Sequence, residues 1–330
     1  MKERPAAVPI MQWEITMAMT RSISTPVVTG THKAERAGER RTGVLLLTPA
    51  FVLMNLVGFF PMIYSLYISL TNYNPTHGGA SQFIGLKNYA NALLDPQFWH
   101  AIGLTCVFVT LSVTSSLVLA VLLSLLFNLR YPGFFLLRTI ILVPMLITPI
   151  AVGIVWRVMM MPDLGVLNYL LTVLGFQPQL WTSSASTALL SIVLVDIWQW
   201  TPFMFLIVFA GISSLPRSPF EAAAIDGAGP IRVFFSVTLP LLRPVIVIAT
   251  LLRIVDAFRT YDTAFIMTRG GPDFSTDLVS VYLQRINFRF FDLGYGSALS
   301  WVTLLIVTAI ILIFTKLSGF TRIISEKESR

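Results

Sequence analysis

Apolar residues in this chain come in long unbroken runs rather than in the alternating pattern of half-buried elements. No Asp, Glu, Lys or Arg occurs from Thr42 to Leu86, Ala101 to Leu129, Thr139 to Trp156, Ile197 to Pro216 or Leu293 to Thr315. A helix needs roughly 17–25 apolar residues to cross the hydrocarbon core of a bilayer, so each run predicts a spanning helix. A sixth span, Pro244 to Met267, is apolar apart from Arg253, Asp256, Arg259 and Asp262. The expected architecture is all-α: six spanning helices over residues 42–320, with polar cytoplasmic tails at 1–41 and 321–330.

Three segments between the runs are expected on the outer face. Residues 71–100 carry the turn signals NPTHGG and Asp95-Pro96, with Phe98 and Trp99 placed for an interfacial aromatic belt. Residues 161–186 hold PDLGVLNYLLTVLGF, which reads as a short helix lying flat on the surface. Residues 268–296 open on TRGGP and close on RFFDLGYG. On the inner face NLRYPGF turns the chain between spans two and three, and residues 216–240 join spans four and five.

Within that last connection, SPFEAAAIDGAG reads as a short helix. Ser218 is the expected N-cap, Pro219 fits the first helical position, Glu221 completes a capping box, and Gly227 supplies the left-handed stop. A helix of ~8 residues is shorter than the ~12–15 at which isolated helices become marginal. It therefore needs something to hold it: either its own surface or a cleft in a cytoplasmic partner.

Composition agrees with a bilayer location: 55% of the 330 residues are hydrophobic and 12% charged, against about 25% charged in soluble domains. The net charge of +7 fits basic residues gathered on a cytoplasmic face better than a nucleic-acid partner. With the amino terminus inside, Lys33, Arg36, Arg130, Arg138, Arg217, Arg232, Arg243, Lys316 and Arg322 fall in the cytoplasm, while Lys87, Arg269, Arg285 and Arg289 fall outside. Both termini are thus expected to be cytoplasmic.

Enzyme chemistry finds little support. Cys106 is the single cysteine, and His32, His77 and His100 share no metal-ligand spacing, so no metal site is expected. The chain lacks GxxxxGK[ST], HExxH and GxSxG. An intramembrane hydrolase is the alternative from another class, but carboxylates paired with arginine suit structure or binding better than nucleophilic attack.

Arg253 lies about 15 Å beyond Arg243 at 1.5 Å per residue, near the bilayer middle. Charges there cost ~2.5–3.5 kcal/mol each on insertion scales and so face protein or water. The order Arg253, Asp256, Arg259, Asp262 alternates in sign at three-residue spacing, which permits an internal salt ladder. The alternative is a solute pathway, with Tyr261 on the same span and Asp196, Trp198, Gln199 and Trp200 on the fourth as further candidates. The tryptophans also suit an interfacial belt. In the third outer segment Asp273, Asp277, Arg285 and Arg289 read as exposed charges that could meet a docked partner.

The stretch EAAAIDGAGPIRVFFSVTLP resembles the EAA loop in the membrane subunits of bacterial ATP-binding cassette importers. Glu221, Ala222, Ala223, Gly227, Val237, Leu239 and Pro240 match that motif, with Val237 standing where isoleucine is commoner. FIGLKNYANALLDPQFWHAIGLT, DIWQWTPFMFLIVFAGISSLPRSPFEAA, DAFRTYDTAFIMTRGGP and FRFFDLGYGSALS are similar to the carbohydrate branch of the same family, so the likeness covers roughly residues 43–320. The resemblance implies a non-catalytic permease half in the bacterial cytoplasmic membrane. Its implied partners are a homologous second permease, an external solute-binding protein, membrane lipid and two ATPase subunits that hold ATP and Mg. Glu221, Ala222, Ala223, Ala224, Asp226 and Gly227 would form the coupling helix. The implied solute is a disaccharide such as trehalose or maltose, or an oligosaccharide; polyol and glycerol-phosphate importers share much of the pattern.

Overall fold

The computed structural model describes residues 32–78, 81–128 and 133–319. The centre of the NLRYPGF turn, the tail at 321–330 and residues 1–31 of the amino-terminal tail lie outside the described residues. Two compact units divide the chain, one up to Ile63 and one from Tyr64 onward. Helix α1, His32–Ser69, contains the first apolar span, Leu45–Ser69, and so begins inside the segment expected to be an irregular tail.

Eleven further α-helices follow among the described residues. These are α2 (Lys87–Leu94), α3 (Pro96–Asn128), α4 (Phe134–Leu146), α5 (Pro149–Met159), α6 (Val166–Val173) and α7 (Ala185–Ser213). Then come α8 (Ser218–Ile225), α9 (Pro230–Phe258, with a π-helical turn at Phe234–Thr238), α10 (Asp262–Thr268) and α11 (Val279–Gln284, running into a π-helical turn at Arg285–Arg289). The last is α12 (Leu293–Leu317). The short helix expected within 161–186 is present as α6.

Among the described residues five helices are individually long and apolar enough to span: α1, α3, α7, α9 and α12. The third expected span, Thr139 to Trp156, is a bent pair, in which Leu136–Leu146 and Pro149–Met159 meet at 96°. Its cause lies in the sequence. Pro144 sits inside α4, and Pro149 occupies the first turn of α5 after an extended Thr148. A proline removes a backbone donor and pushes the preceding residue out of helical geometry.

The fifth span also differs from expectation. It occupies Pro230–Phe258 rather than Pro244 to Met267. The backbone N–H groups of Arg259 and Thr260 close its last turn onto Asp256 and Ala257, and Asp262 opens a separate helix. The four charges therefore do not share one continuous helix.

Helices α3 and α7 form the most extensive pair among the described helices. Ser112, Ser116, Ala120 and Ser124 recur every four residues on one face of α3 and are all fully buried. Such a stripe of small side chains lets two membrane helices approach closely. Gly211 serves the same end between α7 and α9, since a Cβ there would lie 2.8 Å from Val245 Cγ1. Phe108 and Val113 of α3, Ile192 and Val195 of α7, and Ile254 and Ala257 of α9 form the central core.

Phe98 corrects the belt expectation. It is fully buried and packs in a second apolar cluster with Ala101, Tyr282 and Leu299, because the first turn of α3 is covered by α11 and α12. Trp99 remains exposed, donating from Nε1 to the Leu93 carbonyl at 2.9 Å.

Candidate translocation pathway and coupling helix

Trp198, Gln199 and Trp200 sit at the middle of the 29-residue α7, with Gln199 its fifteenth residue. The middle of a spanning helix is not an interface, so the belt reading of the tryptophans does not hold. Gln199 is buried and donates from Nε2 to the Ile147 carbonyl at 3.1 Å, across the bend of the third span. Thr263 of α10 donates from Oγ1 to the carbonyl of Pro149 at 3.3 Å. Helix α5 is thereby held from two sides. A bent helix in a bilayer frees backbone groups that water cannot reach, and neighbouring side chains must satisfy them. Trp198 packs edge-on against Trp156 of α5, with ring centroids 5.4 Å apart.

Arg253 lies beside this bend and its side chain is fully buried. It donates to Asp196 of α7, to Asp256 Oδ2 at 2.8 Å, and to Ser112 Oγ at 3.3 Å. The Ser112 hydroxyl also donates to Asp196. The guanidinium stands 5.4 Å from the centroid of the Trp200 ring, a cation–π distance. One guanidinium thus joins three helices and two carboxylates. Of the expected ladder the Arg253–Asp256 rung forms and the others do not, because the helix ends at Phe258. Arg259 and Asp262 make no ion pair among the described residues.

Asp256 is 41% exposed at its side chain and reaches a cavity of about 250 Å³ lined by Pro149, Trp200, Asp256, Arg259, Thr260, Tyr261, Asp262 and Thr263. The cavity lies where two interruptions meet: the third span just before Pro149, and the chain between Phe258 and Asp262. Interrupted helices near the membrane midplane are a recurrent way of building transporter sites, because they offer polar backbone where helices otherwise hide it. Tyr261 stacks on Phe265 at 5.1 Å, completing a wall of aromatic faces and charged groups. The candidates on the two spans therefore divide. Trp200, Asp256, Arg259, Tyr261 and Asp262 face the cavity; Asp196, Gln199 and Arg253 stand behind it and brace it.

Between α10 and α11, Asp277 is not an exposed charge. It is fully buried and accepts both arms of Arg285, at 3.0 and 2.6 Å. Arg285 also lies over the Phe274 and Tyr282 rings. Of the four docking candidates, Asp273 and Arg289 are exposed, and they help line a groove of about 560 Å³.

Asp95 has a role the sequence did not suggest. Its Oδ1 accepts the backbone N–H groups of Gln97 and Phe98 at the start of α3, and its Oδ2 accepts the hydroxyls of Tyr282 at 2.5 Å and Tyr295 at 2.7 Å. Burial raises the pKa of this carboxyl, but the four hydrogen bonds outweigh it and leave it below the usual carboxylate value. Burial and the hydrogen bond to Asp95 push the Tyr282 hydroxyl well above its ordinary value. The signal in the sequence was the capping position of Asp95 before Pro96, read there as a turn alone.

The short helix α8 is present, but its start differs from expectation. Ser218 already lies inside the helix, Arg217 holds the cap position, and no side chain caps the end. The capping box is therefore not formed, and the backbone N–H groups of Phe220 and Glu221 bond to the Arg217 carbonyl instead. The far end closes as the sequence suggests: Gly227 has φ +69°, Ala228 N–H reaches the Ala223 carbonyl at 2.9 Å, and Gly227 N–H reaches Ala224 at 3.1 Å. This is the double hydrogen bond of a left-handed helix stop. Ala223 is the one buried residue of the helix, while Glu221, Ala222, Ala224 and Asp226 are exposed and Ile225 is 87% exposed. A helix this short, held by one alanine and offering a bare isoleucine, presents a face suited to a partner.

These features define a class: a polytopic helical membrane subunit with a polar cavity at paired helix interruptions and an exposed short helix between two spans. The family model for the binding-protein-dependent transport system inner membrane component matches residues 147–328. The chain is similar to the sulfoquinovosyl glycerol transport system permease protein SmoG of Agrobacterium fabrum, 38% identical over 265 residues covering 80% of this chain and 86% of that one. It is also similar to the trehalose/maltose transport system permease protein MalF of Thermococcus litoralis, 34% identical over 284 residues covering 86% and 96%. A solved bacterial ABC transporter involved in the import of the acidic polysaccharide alginate shares the fold, with TM-score 0.76 over 87% of this chain and 98% of that chain at 19% identity. The chain belongs to the binding-protein-dependent transport system inner membrane components, the membrane permeases of ABC transport systems.

Proposed function

We propose that this permease forms one half of the pathway of an ATP-driven importer for a di- or oligosaccharide. The observation that carries this reading is the cavity at the paired interruptions, where Trp200 and Tyr261 offer faces for a sugar ring and Asp256, Arg259, Thr260 and Asp262 offer hydrogen bonds to hydroxyls. The relative named for trehalose/maltose supports the solute class.

In this reading the chain pairs with a homologous permease, and two ATPase subunits hold ATP and Mg. Helix α8 seats Ile225 and its exposed neighbours in a cleft of one ATPase. Closure of the ATPases draws α8 with it, and the interface between the permease halves shifts between two packings. An external binding protein delivers the solute at the outer groove near Asp273 and Arg289, and both termini are cytoplasmic.

Two measurements test this. Complexes reconstituted in proteoliposomes with the cognate ATPase and binding protein are expected to accumulate labelled trehalose or maltose when ATP is inside; accumulation of glycerol 3-phosphate and of neither disaccharide overturns the solute class. In a Cys106→Ser background, Ile225→Cys is expected to crosslink to cysteines in the ATPase cleft with a yield that changes with nucleotide. No crosslink in an assembled complex removes α8 from the coupling role.

A further inference from the structure

The balance of charge around the cavity says which solutes it takes. On α9, Arg253 is shared between Asp196 and Asp256, so one guanidinium answers two carboxylates. On the cavity wall itself Arg259 stands beside Asp256 and Asp262. The cluster as a whole holds three carboxylates and two guanidiniums. Helix α10 adds no other charge, α7 none beyond Asp196, and α3 carries only His100, at its outer end. The remaining charged residue on α5, Arg157, lies eight positions from Pro149, about 12 Å along the helix, and is tied to the Ile266 carbonyl at 3.1 Å.

Geometry decides which charge reaches the solute. Arg253 is fully buried and already committed, whereas the carboxylate it holds is 41% exposed and lines the cavity. The Trp200 and Tyr261 rings line the cavity with this carboxylate, and beside such low-dielectric walls a unit charge acts over longer distances than in open water.

We infer that the cavity is a charge filter: Asp256, held in place by Arg253 and Asp196, admits uncharged polyhydroxylated solutes and disfavours phosphorylated, sulfonated or carboxylated ones. This rests on the cavity being the solute pathway, and it narrows the solute class within that reading. Asp256 is the residue that determines specificity; Arg253, Asp196 and Ser112 act through it as positioning residues.

The test reads the field of the cavity directly and requires no knowledge of the native solute. Thr260, which lines the cavity, is changed to Cys in a Cys106→Ser background, and the assembled complex is labelled with a cationic, an anionic and a neutral methanethiosulfonate of similar size. Rates are referred to the same reagents on Gln177→Cys, in the exposed segment after α6. The cationic reagent is expected to gain at least tenfold over the anionic one, a gap of the size that a single charge at ~6 Å produces in a partly desolvated site. Asp256→Asn or Asp262→Asn is expected to shrink the gap at least threefold while the complex still elutes as an assembly. Asp262 is the second variant because it has no ion-pair partner among the described residues. An equal ratio at both positions, a preference for the anion, or a gap unmoved by both variants overturns the filter. Protection by trehalose is read in the same experiment: a charge gap without protection keeps the filter and removes the disaccharide, whereas protection without a gap does the reverse.

Discussion

The Tyr282 hydroxyl meets Asp95 Oδ2 at 2.5 Å across 187 positions of sequence. Asp95 also caps α3 and accepts from Tyr295, so one carboxylate fastens α3, α11 and α12 together.

The pH dependence of this junction has a defined sign. The folded Asp95 pKa is depressed, so its contribution is present above the unfolded value of about 3.9 and is lost as pH falls through the lower folded value. The folded Tyr282 pKa is raised, so its contribution is present below about pH 10 and is lost as pH rises toward the folded value. Thermal unfolding of the purified complex is expected to hold a plateau between these limits, and Asp95→Ala is expected to lower it throughout. Melting temperatures from pH 3 to 10 check this.

Replacing Gln199 by Leu leaves the Ile147 carbonyl without its donor in apolar surroundings. A buried polar group left unpaired costs about 1–3 kcal/mol, so the variant is expected to melt several degrees lower and to transport less. A Gln199→Leu protein with wild-type melting would show that the bend is held elsewhere.

Arg253→Met strands Asp196, which is buried. Breaking a buried ion pair on one side costs about 3–5 kcal/mol, whereas replacing both partners by apolar residues is often far milder. The double variant Asp196→Leu, Arg253→Met is therefore expected to recover much of the membrane level that Arg253→Met loses. Quantitative immunoblotting of assembled complex reads the difference.

Arg285→Glu places a carboxylate against the buried Asp277 and is expected to lower assembly. Arg289→Glu, at an exposed site, is expected to leave assembly intact and weaken stimulation of ATPase by the loaded binding protein. Unchanged stimulation in Arg289→Glu removes that residue from docking.

Gly227→Leu imposes a side chain on a backbone at φ +69° where nothing lies within 4 Å. The penalty is backbone strain alone, about 1–2 kcal/mol, and Gly227→Asn is expected to be milder. ATP hydrolysis per solute transported should rise in the leucine variant; normal coupling would release Gly227 from that role.

The spans were legible because crossing a bilayer requires apolar length, which composition records directly. Gly227 and the EAA spacing were legible because they are local along the chain. The bend at Ile147 was not, since hydropathy is blind to backbone direction, although Pro144 and Pro149 were there to be read. Asp277 and Arg285 looked like free charges because their eight-residue separation carries no helical register across a turn. The groups behind the cavity, Asp196, Arg253 and Ser112, lie on three helices 57 to 141 positions apart, and only the fold brings them together.

The bent third span also bears on the order in which the protein is made. Gln199 follows Ile147 by 52 residues, so during synthesis the acceptor leaves the ribosome before its donor. Pro144 and Pro149 break the segment from the moment it is made. The carbonyl that the corner frees at Ile147 acquires its side-chain donor only once α7 has followed, so the corner is set early and secured late.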